Sequence, residues 1–194
     1  MTEARHFDAV IQAWVLAHQL LVIERVFLWI TILGGITGMR VLALLGAGYL
    51  WYRGRRRVSA VVLIAPVLAD ALFHVTKRVY ARPRPQGLDG RVDVDFSFPS
   101  GHSTVSAAVC CALAYILWRE RFIGRSRAIT LAVAVPLLVG LSRVYLNVHW
   151  ATDVIGGWCM GILIAILCIA IYERLRPPAL DRASGLSPIR SSTP

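Results

Sequence analysis

Five apolar stretches, separated by short basic corners, narrow what this chain of 194 residues can fold into. They cover residues 26–52, 58–76, 101–118, 128–142 and 153–172, and few charges fall inside them. About 20 apolar residues in a helix cross the hydrocarbon of a bilayer. Apolar residues make up 57% of the chain and charged ones 16%, a balance that a soluble domain of this size rarely has. The expected fold is therefore all-α: a polytopic membrane helix bundle with five transmembrane helices. In the first stretch Gly34, Gly35, Gly38 and Arg40 loosen the run, so its spanning part is placed at about 33–52, with the earlier part at the interface.

Residues 7–23 carry Phe7, Val10, Ile11, Trp14 and Val15 at helical spacing, with polar positions between them. That pattern predicts an amphipathic helix lying on the membrane surface, with a short sixth span as the alternative. The count is then six helices in total. The organisation read from the sequence is an N-terminal interfacial helix at 1–25, a membrane domain at 26–173 and a Pro/Ser/Arg-rich, disordered tail at 174–194. No cleavable signal peptide is visible, because Glu3, Asp8, His18 and Glu24 interrupt the first 25 residues. No internal repeat is visible either.

The formal net charge of +10 could suggest nucleic acid, but the arginines sit mostly between apolar runs. With no RNA-binding signature and no basic stripe interleaved with aromatics, the sequence predicts no nucleic-acid partner. The placement suits anionic headgroups and topology control. Arg53, Arg55, Arg56 and Arg57 mark one corner, Arg119, Arg121, Arg125 and Arg127 a second, and Arg174, Arg176 and Arg182 the tail. The positive-inside rule puts all three in the cytoplasm of a multi-pass plasma (inner) membrane protein. Segments 77–101 and 143–152, with the N-terminus, then share the periplasmic or extracellular face. Loop 77–99 is basic against the rule, which makes sense if its cations serve a ligand.

Two further readings concern the helices themselves. Arg40 lies 13 residues before Arg53, and Asp70 lies 13 residues after Arg57. At 1.5 Å per residue both sit about 20 Å from the cytoplasmic boundary, where unpaired charge is costly, so a pair is expected. Cys110, Cys111, Cys159 and Cys168 all fall within apolar runs, show no metal-ligand spacing or disulfide framework, and read as small packing residues.

Three short patterns stand where apolar stretches end: Lys77-x6-Arg84-Pro85, Pro99-Ser100-Gly101-His102, and Ser142-Arg143-x5-His149-x3-Asp153. On a helix, His149 and Asp153 share one face, and a carboxylate on one imidazole nitrogen leaves the other free as a nucleophile. Taken alone, the pair is better read with Asp153 as a helix cap and His149 as an interfacial residue. Gly101 permits close backbone approach at a helix N-terminus, where amide N–H groups suit phosphate, and Ser100 adds a hydroxyl. Taken alone, Ser100 is an N-cap and His102 a surface histidine. Lys77, Arg84 and Arg143 suit phosphate oxygens, or else headgroup contact by snorkelling. Arg82, at a different spacing, is expected to be peripheral.

Together and in this order, the patterns resemble the three signature motifs of the type-2 phosphatidic acid phosphatase family, which includes acid phosphatases and vanadium haloperoxidases. Every motif position is present across residues 77–153. The resemblance implies a histidine-nucleophile phosphatase with no required metal and no other cofactor. His149 would attack phosphorus, Asp153 would orient it, and His102 would protonate the leaving oxygen. Lys77, Arg84, Ser100, the Gly101 amide and Arg143 would hold the phosphoryl oxygens. Membrane members commonly have six spans; this chain replaces the first with the interfacial helix, and catalysis is expected to survive because the motifs lie downstream.

The substrate expected is a lipid phosphate or pyrophosphate at the outer face, and the resemblance to small compact members of the family puts undecaprenyl pyrophosphate first. Phosphatidylglycerophosphate, phosphatidate and lipid A 1-phosphate are alternatives. A haloperoxidase is disfavoured by the spans. A non-catalytic lipid-binding or transport protein is the alternative of another class. A metal site is disfavoured because the lysine and arginines would repel a cation.

Overall fold

A computed structural model describes residues 3–85 and 95–175. Seven helices are present among them: α1 (Glu3–Ala17), α2 (Leu21–Leu33), α3 (Ile36–Tyr52), α4 (Arg56–Tyr80), α5 (Gly101–Arg119), α6 (Arg125–Tyr145) and α7 (Ala151–Leu175). The architecture is all-helical, as expected, but the count of six helices is corrected to seven. Four of them, α4 to α7, are each long and apolar enough to cross a membrane. A fifth crossing exists if α2 and α3, bent by 47° at Gly34-Gly35, count as one span.

The single helix expected over 7–23 is divided, and the reason is local. Tyr145 at the end of α6 caps the break: its hydroxyl accepts from the Leu20 amide at 2.8 Å, and its carbonyl accepts from Gln19 Nε2 at 3.3 Å. The polar residues His18 and Gln19 thus mark a junction, and Glu24 and Arg25 lie inside α2 instead of ending a segment. Along α1, Phe7, Val10 and Trp14 are exposed while Asp8 and Val15 are buried. Phe7, Val10 and Trp14 thus face outward, as a surface helix requires, while the expected apolar face loses Val15, which turns with Asp8 toward the bundle. At the other terminus α7 runs to Leu175, and the expected tail falls from residue 176 onward outside the described residues.

Helix α5 is the axis of the bundle and packs against α3, α4, α6 and α7. Its sequence explains this: Ser103, Ser106, Ala107, Ala108, Ala112 and Ala114 are small and buried. In lipid, where burial of apolar surface drives little, small residues allow the close approach that packing needs. Facing them on α7 are Gly157 and Gly161. A Cβ on Gly157 would stand 2.7 Å from the Ser100 carbonyl oxygen, and one on Gly161 2.4 Å from that of Thr104. Cys110 and Cys168 lie in this core as expected, whereas Cys159 faces outward.

The Arg40–Asp70 pair forms between α3 and α4. Asp70 Oδ2 accepts from both Nε, at 3.0 Å, and Nη2 of Arg40. The succession of antiparallel helices brings the C-terminal ends of α4 and α6 and the N-terminal ends of α5 and α7 to one end of the bundle, where all three motifs sit.

Candidate active site

Each motif is placed by a helix terminus. Lys77, nearly buried, is in the last turn of α4. Ala81 ends that helix in the left-handed region (φ 45°), its amide donating to the Lys77 carbonyl at 2.9 Å. The chain then turns into Arg82-Pro83-Arg84-Pro85. Arg84 donates from Nη1 to the Val148 carbonyl at 3.1 Å and from Nε to that of Asp95 at 3.0 Å. The first motif is thereby pinned to the segment that carries His149.

Ser100 is the N-cap residue of α5, yet its side chain caps nothing. Its hydroxyl instead accepts from Ser103 Oγ at 3.1 Å, and its backbone N–H donates to the Asp153 carbonyl at 3.0 Å. The simple capping reading therefore fails, and the α5 N-terminus is fastened to the start of α7. His102 projects toward the α2–α3 break, where a Cβ on Gly35 would lie 3.1 Å from its Nε2. Arg143, His149, Arg84 and Lys77 all lie within electrostatic reach of His102.

The third motif closes on itself. After α6, Asn147 adopts φ 53° and the amides of Val148 and His149 both donate to the Arg143 carbonyl, at 3.2 and 3.3 Å. This fixes the spacing between arginine and histidine. Arg143 Nη1 donates to Thr31 Oγ1 at 2.8 Å, bringing α2 to the site. His149 is 3% exposed and Asp153 fully buried. Asp153 Oδ2 accepts the Trp150 amide at 2.9 Å and stands 3.5 Å from His149 Nδ1. Both sequence readings of Asp153 are thus true together: it caps α7 and it faces the imidazole. At 3.5 Å the imidazole contact is longer than an ordinary hydrogen bond. Burial pulls the His149 pKa down to about 4, with Arg143 and Arg84 adding to the effect and Asp153 opposing it.

The expectation that Arg82 is peripheral is overturned. Its Nη1 donates to Asp153 Oδ1 and Thr152 Oγ1, each at 2.7 Å, and its Nη2 to Asp8 Oδ2 at 2.6 Å. A signal existed in the sequence. Residues before proline are held extended, and positions i and i+2 of an extended chain share a face, so Arg82 and Arg84 turn together. Asp95 was also missed. Its carboxylate accepts from Lys77 Nζ and, at 3.3 Å, from Arg84 Nη2. Burial pushes the Asp95 carboxyl up, but Lys77 and Arg84 outweigh it and hold it below the usual carboxylate range. Among the described residues no three His, Cys, Asp or Glu side chains group as metal ligands. What converges instead is cationic, and it suits an oxyanion.

The model of the PAP2 superfamily matches residues 57–177, which include all three motifs. The chain is 33% identical over 140 residues to phosphatidylglycerophosphatase B of Bacillus subtilis, a match covering 70% of this chain and 68% of that protein. It is 30% identical over 143 residues to an undecaprenyl-diphosphatase of Sulfolobus acidocaldarius, covering 65% of each. A lipid A 1-phosphatase of Porphyromonas gingivalis is 32% identical over 133 residues, which span 27% of its own length. Among solved structures, a transmembrane PAP2-type phosphatidylglycerolphosphate phosphatase from Bacillus subtilis superposes with a TM-score of 0.80 at 29% identity, covering 91% of this chain and 89% of that one.

Proposed function

This chain belongs to the PAP2 superfamily and is a membrane phosphatase, and from that premise we propose that it hydrolyses a lipid phosphate or pyrophosphate through a phosphohistidine. The observation that carries the reading is His149, with Nδ1 turned to Asp153, with Arg143, Arg84 and His102 around it, and with Lys77 within reach of His102. His149 Nε2 attacks phosphorus while the bond to the leaving oxygen breaks, and His102 supplies that oxygen's proton. Water then attacks the phosphohistidine, His102 takes its proton, and the P–N electron pair returns to His149 as phosphate leaves. Lys77, Arg84, Arg143, the Ser100 hydroxyl and the Gly101 amide stabilise the equatorial oxygens.

The site lies at the ends of spans, so a phosphate can stay at the water boundary while its lipid tail remains in the bilayer. Undecaprenyl pyrophosphate is the substrate proposed first, with undecaprenyl phosphate as product. Phosphatidylglycerophosphate is the second reading, favoured by the fold match over nine-tenths of the chain. The proposed orientation places the site on the periplasmic or extracellular face and the C-terminus in the cytoplasm.

The test is phosphate release by purified protein from a panel holding undecaprenyl pyrophosphate, phosphatidylglycerophosphate, phosphatidate and lipid A 1-phosphate. His149→Ala should abolish release, and His102→Ala should lower kcat by roughly 10²–10⁴-fold. Denaturing wild-type protein during turnover should trap an acid-labile phosphoryl group at His149. Normal turnover by folded His149→Ala would refute the mechanism.

A further inference from the structure

We propose that Asp8, on the N-terminal helix, is a positioning residue for the nucleophile: by neutralising Arg82 it keeps the Asp153 carboxylate available to His149. The inference rests on the reading of His149 as nucleophile, and it gives α1 a role although all three motifs lie beyond it.

Asp8 is 2% exposed. Its Oδ2 accepts from Arg82 Nη2 at 2.6 Å and from Thr152 Oγ1 at 2.6 Å, and its Oδ1 accepts the Thr152 amide at 2.9 Å. The α7 N-terminus is therefore served by two carboxylates, Asp8 on the Thr152 amide and Asp153 on that of Trp150. Arg82 lies between them, donating to Asp153 Oδ1 at 2.7 Å. Asp153 thus meets a full cation at closer range than it meets His149, whose Nδ1 is 3.5 Å from Oδ2. Without Asp8, Arg82 would cancel Asp153. With Asp8, the trio carries one net negative charge, and that charge faces the imidazole.

The other charged groups around His149 make this surplus matter. Arg143 from α6, Arg84 from the segment after α4 and His102 from α5 all face it, and Asp153 is the acid that α7 contributes. As His149 becomes phosphorylated its ring gains positive charge, which those cations oppose and a net negative trio favours. A purely mechanical fastening of α1 would not need a buried acid. Gln12 donates to Asn147 Oδ1 at 3.1 Å, and just beyond α1 Gln19 and Leu20 bond to Tyr145 at the end of α6, so neutral links already fasten this part of the chain. A buried carboxylate is a costly fastener, stabilising only while its partner cation is present.

The experiment is a cycle of four full-length proteins: wild type, Asp8→Asn, Arg82→Gln and the double variant, all in the same detergent and on the same lipid phosphate. Asp8→Asn should lower kcat by roughly tenfold with KM nearly unchanged, and the double variant should regain most of that loss. The acid limb of the kcat/KM profile should move to lower pH in Asp8→Asn and return in the double variant. A double variant no better than Asp8→Asn, with an unmoved profile, would overturn the proposal in favour of simple anchoring. Failure of the functional reading looks different: wild type would release no phosphate from any lipid. The inference would then still be read without substrate, from the His149 imidazole titration by NMR on histidine-labelled protein, assigned with His149→Asn. Asp8→Asn should lower that midpoint, and Arg82→Gln alone should raise it, which keeps the test open if Asp8→Asn does not fold. A midpoint that moves in neither variant sinks the proposal.

Discussion

His149 and Asp95 show how single residues at this site hold charge. His149 is buried with its folded pKa near 4, below the ordinary value of 6.5. The unfolded chain therefore binds the proton more readily, and stability falls as pH drops through 6.5 toward 4. The loss is of the order of 3 kcal/mol at the acid end. Thermal unfolding in detergent from pH 7.5 to 4 should show this loss, and His149→Gln should make the slope shallower; an equal slope in that variant would place the acid sensitivity elsewhere. In the proposed phosphate site Asp95 would act as an internal occupant, since its carboxylate already bonds Lys77 and Arg84, and a phosphoryl group held by those two cations would displace it. Asp95→Asn should therefore bind inorganic phosphate about tenfold more tightly, a change of about 1.4 kcal/mol, read as a lower inhibition constant. An unchanged constant would mean that the carboxylate does not compete. Neither behaviour could be read from spacing, because burial and pairing depend on chain segments that meet only in the fold.

At the level of helices, glycines decide where the site residues stand. Gly35 sits at the α2–α3 break, and an added Cβ would lie 2.7 Å from the Thr31 carbonyl oxygen as well as close to His102. Gly35→Ala should therefore lower both the melting temperature in detergent, through the Thr31 carbonyl, and kcat, through the push on the proposed general acid. Gly161→Val acts differently. It forces α7 away from the α5 backbone, and overpacking of this kind costs about 1–3 kcal/mol or more. Its melting temperature in detergent should fall with activity; an unaltered melting temperature would show that α5 and α7 tolerate separation. The long helices were legible because apolar runs and basic corners bound them, and α4 to α7 fall close to those limits. The breaks were less so. Glycines marked Gly34-Gly35 as loose, but Glu24 and Arg25 looked like the end of a segment, whereas the junction lies earlier, where Tyr145 reaches Leu20 from 125 positions away. The motif residues were legible as chemistry, but Arg82, Asp8 and Thr31 were not, since their partners come from distant elements.

Across the whole molecule, charge separates into two ends with different work. At the end opposite the site, Arg55 Nε bonds Glu120 Oε2 at 2.8 Å, Arg53 lies over the Phe122 ring at 4.5 Å, and Arg119 Nε bonds Glu173 at 3.0 Å. The α3–α4 corner, the α5–α6 corner and the α7 C-terminus therefore gather into one basic surface, as the positive-inside rule would have them on the cytoplasmic side. At the site end Lys77, Arg82 and Arg84 are engaged by Asp8, Asp95, Asp153 and backbone carbonyls. The orientation can be read directly. In a chain with its four cysteines replaced by alanine, Phe96→Cys should react with a membrane-impermeant maleimide on intact cells, and Arg57→Cys should react only after permeabilisation. The reverse labelling would turn the molecule over and place phosphate release in the cytoplasm, leaving the chemistry of the site intact but assigning it a substrate pool on the other leaflet.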